Sequence, residues 1–160
     1  AGSSSQFPSL HDANTGSSSS LLTTTTTTTS TTSKGKVAIL KVRVIGARGL
    51  PNGGLLNSKP DAYCVLTCYR QKEKTKKIRK ENNPKWNTEF KFYVEEPETI
   101  LLVEIFDWDR LTSDDFLGHI EIPFSDISVG ETDETWFTLQ PKKTGGKVSG
   151  EIALSFSLEY

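Results

Sequence analysis

From Val37 to Tyr160, apolar and polar residues alternate with a period close to two rather than the 3.6 of a helix, so this stretch predicts strands. Val37 to Ile45 reads as the first strand, ended by Gly46 and a Gly/Pro/Asn-rich loop from Gly49 to Pro60. Asp61 to Arg70 reads as the second, with Ala62, Cys64, Leu66 and Cys68 on one face, and Thr75 to Lys80 as a short, basic third. Asn82-Asn83-Pro84 predicts a turn, because proline fixes φ and asparagine tolerates turn geometry. Trp86 to Val94 alternates as the fourth strand, and Thr99 to Phe106 is apolar enough for a central fifth. Phe116 to Phe124, Glu134 to Leu139 and Gly150 to Tyr160 supply the sixth to eighth, with a single helical turn near Ser125 to Val129. Eight short strands separated by turn signals predict an all-β fold, an eight-stranded antiparallel β-sandwich. Loops of a sandwich gather at its two ends, so the 50–60 and 107–115 loops are expected to share one apex.

Composition changes the picture at the N-terminal end. Residues 1–35 are a low-complexity Ser/Thr tract, uninterrupted from Thr23 to Thr29, which buries too little apolar surface to offset its conformational entropy. They are expected to be a disordered tail or linker, leaving 36–160 as one domain. Ala1-Gly2-Ser3 lacks an initiator Met and reads as the start of a fragment of something larger. No apolar run approaches the ~20 residues that span a bilayer, and no basic region precedes an apolar core, which predicts a cytoplasmic protein. Cys64 and Cys68 lie on one strand face, too far apart to bridge easily, so free thiols in a reducing compartment are expected.

The net charge of −1 hides an asymmetry between a basic run, Lys72 to Lys80, and acids that follow the fifth strand. The basic run is short and the isoelectric point of ≈ 6.2 is not basic, which argues against nucleic acid as a partner. No nucleophile–base–orienter set, phosphate-cradling Gly-rich loop or Cys/His cluster is present, so a binding domain is expected and not an enzyme. His119 lies in the sixth strand and His11 in the tail, and neither has a catalytic partner; Trp86, Trp108 and Trp136 are read as packing residues.

Asp107, Asp109, Asp114 and Asp115 crowd one loop. Like charges about 4 Å apart cost about 1 kcal/mol in water and about 4 near a protein surface, so a cation is expected among them. Ca²⁺, which takes roughly 6–8 oxygen ligands at irregular angles, suits such a loop better than Mg²⁺. A lone Asp in a turn would need no metal, since its side chain bonds nearby backbone. Three at this spacing, with Asp61 on a loop predicted to be adjacent, point to one, and Asp114 is left as an outer or solvated acid.

Four blocks, Ala47-Arg48-Gly49-Leu50, Asp61-Ala62-Tyr63-Cys64-Val65, Asn83 through Phe90, and Asp107-Trp108-Asp109-Arg110 through Asp115-Phe116-Leu117-Gly118, stand in an order and spacing that resembles a C2 domain over Val37 to Tyr160. The resemblance implies a Greek-key sandwich of type II strand order whose apical loops bind Ca²⁺ and then phospholipid. It implies Asp61 as the second ligand of the first loop, Asp107, Asp109 and Asp115 as ligands from the third, and the Trp108 carbonyl between them. The family's first acid of the first loop falls near Gly54 or Leu55 and is absent, and Ala62 replaces a proline. Asn52 and Asn57 offer only neutral carbonyl oxygens, so weak or reduced-stoichiometry Ca²⁺ binding is expected.

Leu55 and Leu56 follow two glycines at a loop tip, and Leu111 holds a similar place in the acidic loop. They either fold back on the sandwich or insert shallowly into lipid, with Arg110 either solvated or touching a lipid phosphate. Lys72, Lys74, Lys76, Lys77 and Arg79 are either a solvated face or, as the resemblance implies, a contact for anionic lipid including phosphoinositide. The expected function is a monomeric, Ca²⁺-dependent phospholipid-binding module that brings a larger signalling protein reversibly to anionic membranes. The alternative is a Ca²⁺-independent C2 domain serving protein partners or constitutive phosphoinositide binding.

Overall fold

The computed structural model describes residues 36–160, and the expectation of a disordered tail at 1–35 lies outside them. Nine strand segments form: β1 Ala38–Arg48, β2 Ala62–Cys68, β3 Gln71–Lys74, β4 Lys85–Val94, β5 Ile100–Asp107, β6 Asp115–Pro123, β7 Gly130–Glu131, β8 Thr135–Thr138 and β9 Glu151–Glu159. One sheet has the order β4-β1-β9-β7, with β8 also on β9; the other has the order β3-β2-β5-β6, and every pair is antiparallel. β7 meets Leu158 and Ser157 while β8 meets Leu154 to Glu151, so the two are halves of one edge strand and the sandwich has four strands on each side. The sequence predicts β8 but not β7, because two residues carry no alternation. The expected helical turn is a 3-10 turn at Phe124–Asp126.

Period-two burial is the reason these segments are strands. Leu40, Val42 and Val44 of β1, Cys64 and Leu66 of β2, Val103 and Ile105 of β5 and Leu154 of β9 all point into one core and are fully covered. Each such side chain contributes about 1.5–3 kcal/mol relative to exposure. The two sheets are also stapled at one edge. The Gln71 side-chain amide donates to the Tyr93 carbonyl (2.6 Å) and accepts from the Tyr93 amide (2.8 Å), which links β3 to β4. Cys64 and Cys68 are free and buried, and burial pushes both thiols up.

Two expectations are corrected. The first strand does not stop at Gly46 but runs on to Arg48, because a bulge absorbs the glycine: Val44 faces Leu154 and Gly46 faces Ala153, leaving Ile45 as the extra residue. The third strand is Gln71–Lys74, not Thr75 to Lys80, because the Thr75 hydroxyl takes the Cys64 amide and ends the ladder. β1 and β9 are neighbours; Arg48 meets Glu151 at the end that carries the 49–61 loop, and Ile39 meets Glu159 at the opposite pole. Among the described residues no helix is long and apolar enough to cross a membrane.

Gly46 is required where β1 passes the 82–84 turn, since a Cβ there would lie 2.6 Å from the Pro84 carbonyl oxygen. That neighbour is backbone and cannot swing away. Gly46→Ala is expected to destabilise the domain by roughly 1–3 kcal/mol, the usual cost of overpacking, read as a lower urea midpoint with an unchanged slope.

Candidate functional site

Asp61 joins three loops. Its amide donates to Asp107 Oδ1 (2.9 Å), its carbonyl accepts from the Trp108 amide (2.9 Å), and its own Oδ1 accepts from the Lys80 amide (2.8 Å). The 49–61, 75–84 and 108–114 loops therefore meet at one apex. Asn82 and Asn83 add ties to the first loop through the Leu50 carbonyl (2.8 Å), Asn52 Oδ1 (2.8 Å) and the Gly49 amide (2.8 Å).

The acids predicted from the sequence come together here. Asp107 and Asp115 stand directly opposite each other on β5 and β6, a cross-strand pairing of like charges that is destabilising. Burial pushes the Asp107 carboxyl up, the Asp61 amide partly offsets this, and the neighbouring charges of Asp61, Asp115 and Asp109 push it up further. Asp109 is held below the usual range by the Leu111 and Thr112 amides, which donate to its Oδ1 at 2.8 and 3.1 Å. Among the described residues none of Asp61, Asp107, Asp109 and Asp115 forms an ion pair, and Oδ2 of Asp61 and of Asp107 has no protein donor. Spare lone pairs on uncompensated carboxylates suit a hard cation. Among the described residues, however, no three acidic, His or Cys side chains converge closely enough to enclose an ion.

The first loop explains part of that gap. The position facing the acids is Gly53, where a Cβ would lie 4.0 Å from Asp107 Oδ2; at Gly54 it would meet nothing within 4 Å, and Leu55 points to solvent. Asn52 Oδ1 is committed to Asn82, and Asn57 sits in a left-handed turn with φ 48°. Leu55, Leu56 and Leu111 do not fold back: they are 104%, 88% and 85% exposed. Arg110 is exposed beside Leu111.

Beside the acids lies a basic groove of about 710 Å³ built from Lys74, Lys76, Lys77 and Arg79 with Tyr63 and Trp108. Its origin is a bulge. Val65 faces Lys74 and Ala62 faces Ile78, so a three-residue step on β2 spans a four-residue step on the basic run. The buried Thr75 hydroxyl accepts the Cys64 amide (2.9 Å) where a ladder carbonyl would stand, which ends β3 at Lys74. Lys76 and Lys77 follow that break and line the groove, whereas Lys72 lies on β3 outside it. The Lys77 ammonium sits 3.9 Å from the Trp108 ring centre and the Lys74 ammonium 5.9 Å from that of Tyr63. Trp108 and Trp136 are thus not core residues; each underlies a cation, Arg48 in the second case at 3.8 Å. Trp86 alone of the three is buried, its Nε1 donating to the Ala62 carbonyl (3.1 Å).

Sequence reasoning missed Tyr63, whose hydroxyl donates to Asp114 and is pushed up to about 12 by burial and by that carboxylate. It also missed Thr75; a threonine inside a lysine run was the available signal.

The family model described as the C2 domain matches residues 38–139. The chain belongs to the C2 domain family. A C2 and GRAM domain-containing protein of Arabidopsis thaliana is 38% identical over 119 residues, covering 72% of this chain, and multiple C2 and transmembrane domain-containing protein 1 of Homo sapiens is 34% identical over 124 residues, covering 78%. The chain spans only 12% of the length of either relative. Among solved structures, a C2 domain of plant extended synaptotagmin 1 superposes with a TM-score of 0.67 at 24% identity, covering 76% of this chain and 94% of that one. The calcium-bound tandem C2 domains of extended synaptotagmin 2 give 0.63 at 26% identity, covering 76% and 45%. The family match ends before β9, yet β9 is the central partner of β1 in this C2 domain.

The raised Asp107 carboxyl makes a signed prediction for the metal-free C2 domain. Folding favours its protonated form, so this contribution to stability is full below the unfolded carboxylate range and is lost as pH rises through the folded pKa. Asp107→Asn keeps an acceptor for the Asp61 amide and removes the charge. It is expected to raise metal-free stability at pH 7 by roughly 0.5–1 kcal/mol and to flatten the loss between pH 4 and pH 7, measured by urea melts in EGTA.

Proposed function

We propose that this C2 domain is a peripheral module that brings a larger protein to anionic phospholipid surfaces, with Ca²⁺ as the switch. The observation that carries the reading is that Leu55, Leu56 and Leu111 are exposed at the same pole as an acid cluster that forms no ion pair among the described residues. Without metal, the acids repel an anionic leaflet. Asp61, Asp107, Asp109 and Asp115 with the Trp108 carbonyl would hold the ion, which supplies positive charge and open coordination positions for lipid phosphate. The leucines then enter the acyl boundary, each worth about 1.5–3 kcal/mol at full burial, and Arg110 meets phosphate. Lys74, Lys76, Lys77 and Arg79 add about 1 kcal/mol each near the leaflet and give the groove a preference for phosphoinositide. The C2 domain itself is non-catalytic, so any chemistry belongs to other parts of the parent protein.

A second reading draws on Gly53, the missing carboxylate, and on the wide spacing of the acids. In it the groove binds phosphoinositide constitutively, or the scaffold serves a protein partner, and Ca²⁺ is not needed.

Co-sedimentation with phosphatidylserine vesicles in millimolar Ca²⁺ and in EGTA separates the two. The first reading expects at least tenfold tighter binding in Ca²⁺, lost in Asp107→Asn, and equal pelleting in both buffers establishes the second. Replacing Leu55, Leu56 and Leu111 together by Ser is expected to weaken binding about 100-fold, which is about 0.9 kcal/mol per leucine for insertion well short of full burial. Gly53 has room for a side chain, so Gly53→Asp is expected to tighten Ca²⁺ binding several-fold by calorimetry; unchanged affinity would show that position 53 does not face the ion.

A further inference from the structure

The groove contains an acid that neither reading above uses. Asp114 lines it together with Lys74, Lys76, Lys77 and Arg79, and its carboxylate is fixed from both sides: Oδ2 accepts from the Tyr63 hydroxyl and Oδ1 accepts from the Asp109 amide at 2.9 Å. It is not there as a salt-bridge partner, since among the described residues no lysine or arginine of the groove pairs with it. Four cations and one immobilised carboxylate therefore share a cavity of about 710 Å³ without neutralising one another at contact.

We propose that Asp114 is the specificity-determining residue of this groove, a built-in anion that admits multiply phosphorylated headgroups and turns away singly phosphorylated ones. The proposal rests on the groove being the phosphoinositide site proposed above. A phosphate that approaches the four cations also approaches Asp114, whose carboxylate the Tyr63 hydroxyl holds in the wall, and so meets like-charge repulsion. A headgroup with one phosphate gains from few cations and is offset by one fixed carboxylate. A headgroup with two or three phosphates gains from several cations at once and outweighs it. Tyr63 is the positioning residue: its hydroxyl keeps the carboxylate in the wall, and its ring carries Lys74.

The test uses the full chain in EGTA, with phosphatidylcholine vesicles containing either phosphatidylserine or phosphatidylinositol bisphosphate. Asp114→Asn retains an acceptor for the Asp109 amide and a partner for the Tyr63 hydroxyl, so the loop is kept. Its affinity for phosphatidylserine vesicles is expected to rise about tenfold, equivalent to about 1.4 kcal/mol, with a smaller rise for bisphosphate, so that the preference between them falls. Asp126→Asn, an exposed change of equal charge on the 3-10 turn at the opposite pole, is expected to leave the preference as in the wild type. An unchanged preference in Asp114→Asn, or the same change in both variants, overturns the role of Asp114 while leaving the groove in place. No binding of bisphosphate vesicles by either the wild type or Asp114→Asn overturns the groove as well. Soluble inositol trisphosphate is the last arm: competition assigns the signal to headgroup phosphates, and its failure assigns binding to the bilayer surface and overturns the proposal.

Discussion

Three hydrogen bonds from one residue hold the apex together. Asp61 uses its amide, its carbonyl and its carboxylate to reach Asp107, Trp108 and Lys80, and so fixes three loops that come from distant parts of the chain. The bonds matter because the loops would otherwise have reason to separate. Burial pushes the Asp107 carboxyl up, and the charges of Asp61, of Asp115 across the strand pair and of Asp109 push it further. A scaffold of buried Leu, Val and Ile supplies the free energy that keeps these groups close despite their repulsion. Groups held together at such a cost lie where binding, and not stability, sets the residue choice.

A second constraint shapes the neighbouring surface. The Thr75 hydroxyl takes the Cys64 amide, the β2–β3 ladder ends early, and the basic run leaves the sheet with one residue more than its partner strand. An uninterrupted strand would have spread these lysines over two faces. The bulge gathers them around Tyr63 and Trp108 instead, whose rings carry ammonium groups. Trp108 belongs to both regions: its amide bonds to Asp61 on the acidic side, and its ring lies beneath Lys77 on the basic side. Opposite charges therefore adjoin at one pole, and among the described residues no ion pair joins them.

Much of this was legible in the sequence, and the reasons differ by feature. Period-two patterning identified most strands of the sandwich, because burial on one face leaves an alternating record. Spacing grouped Asp107, Asp109 and Asp115, since they lie on one loop, and two glycines before Leu55 and Leu56 marked an exposed tip. What misled was local. Gly46 reads as a terminator but stays paired beside a bulge at Ile45, and Thr75 to Lys80 alternates like a strand although a buried hydroxyl diverts it.

Chain order by itself determined the fold class, the membership of the acidic loop and the identity of the basic run, because each is written in neighbouring residues. Only the tertiary structure decided which backbone position of the first loop faces Asp107, that Asn52 is engaged by Asn82, and that Asp114 sits among lysines. Those contacts join residues that are far apart in the chain. They depend on loop path and strand register, and a shift of one residue in either would place a different side chain at the same point in space.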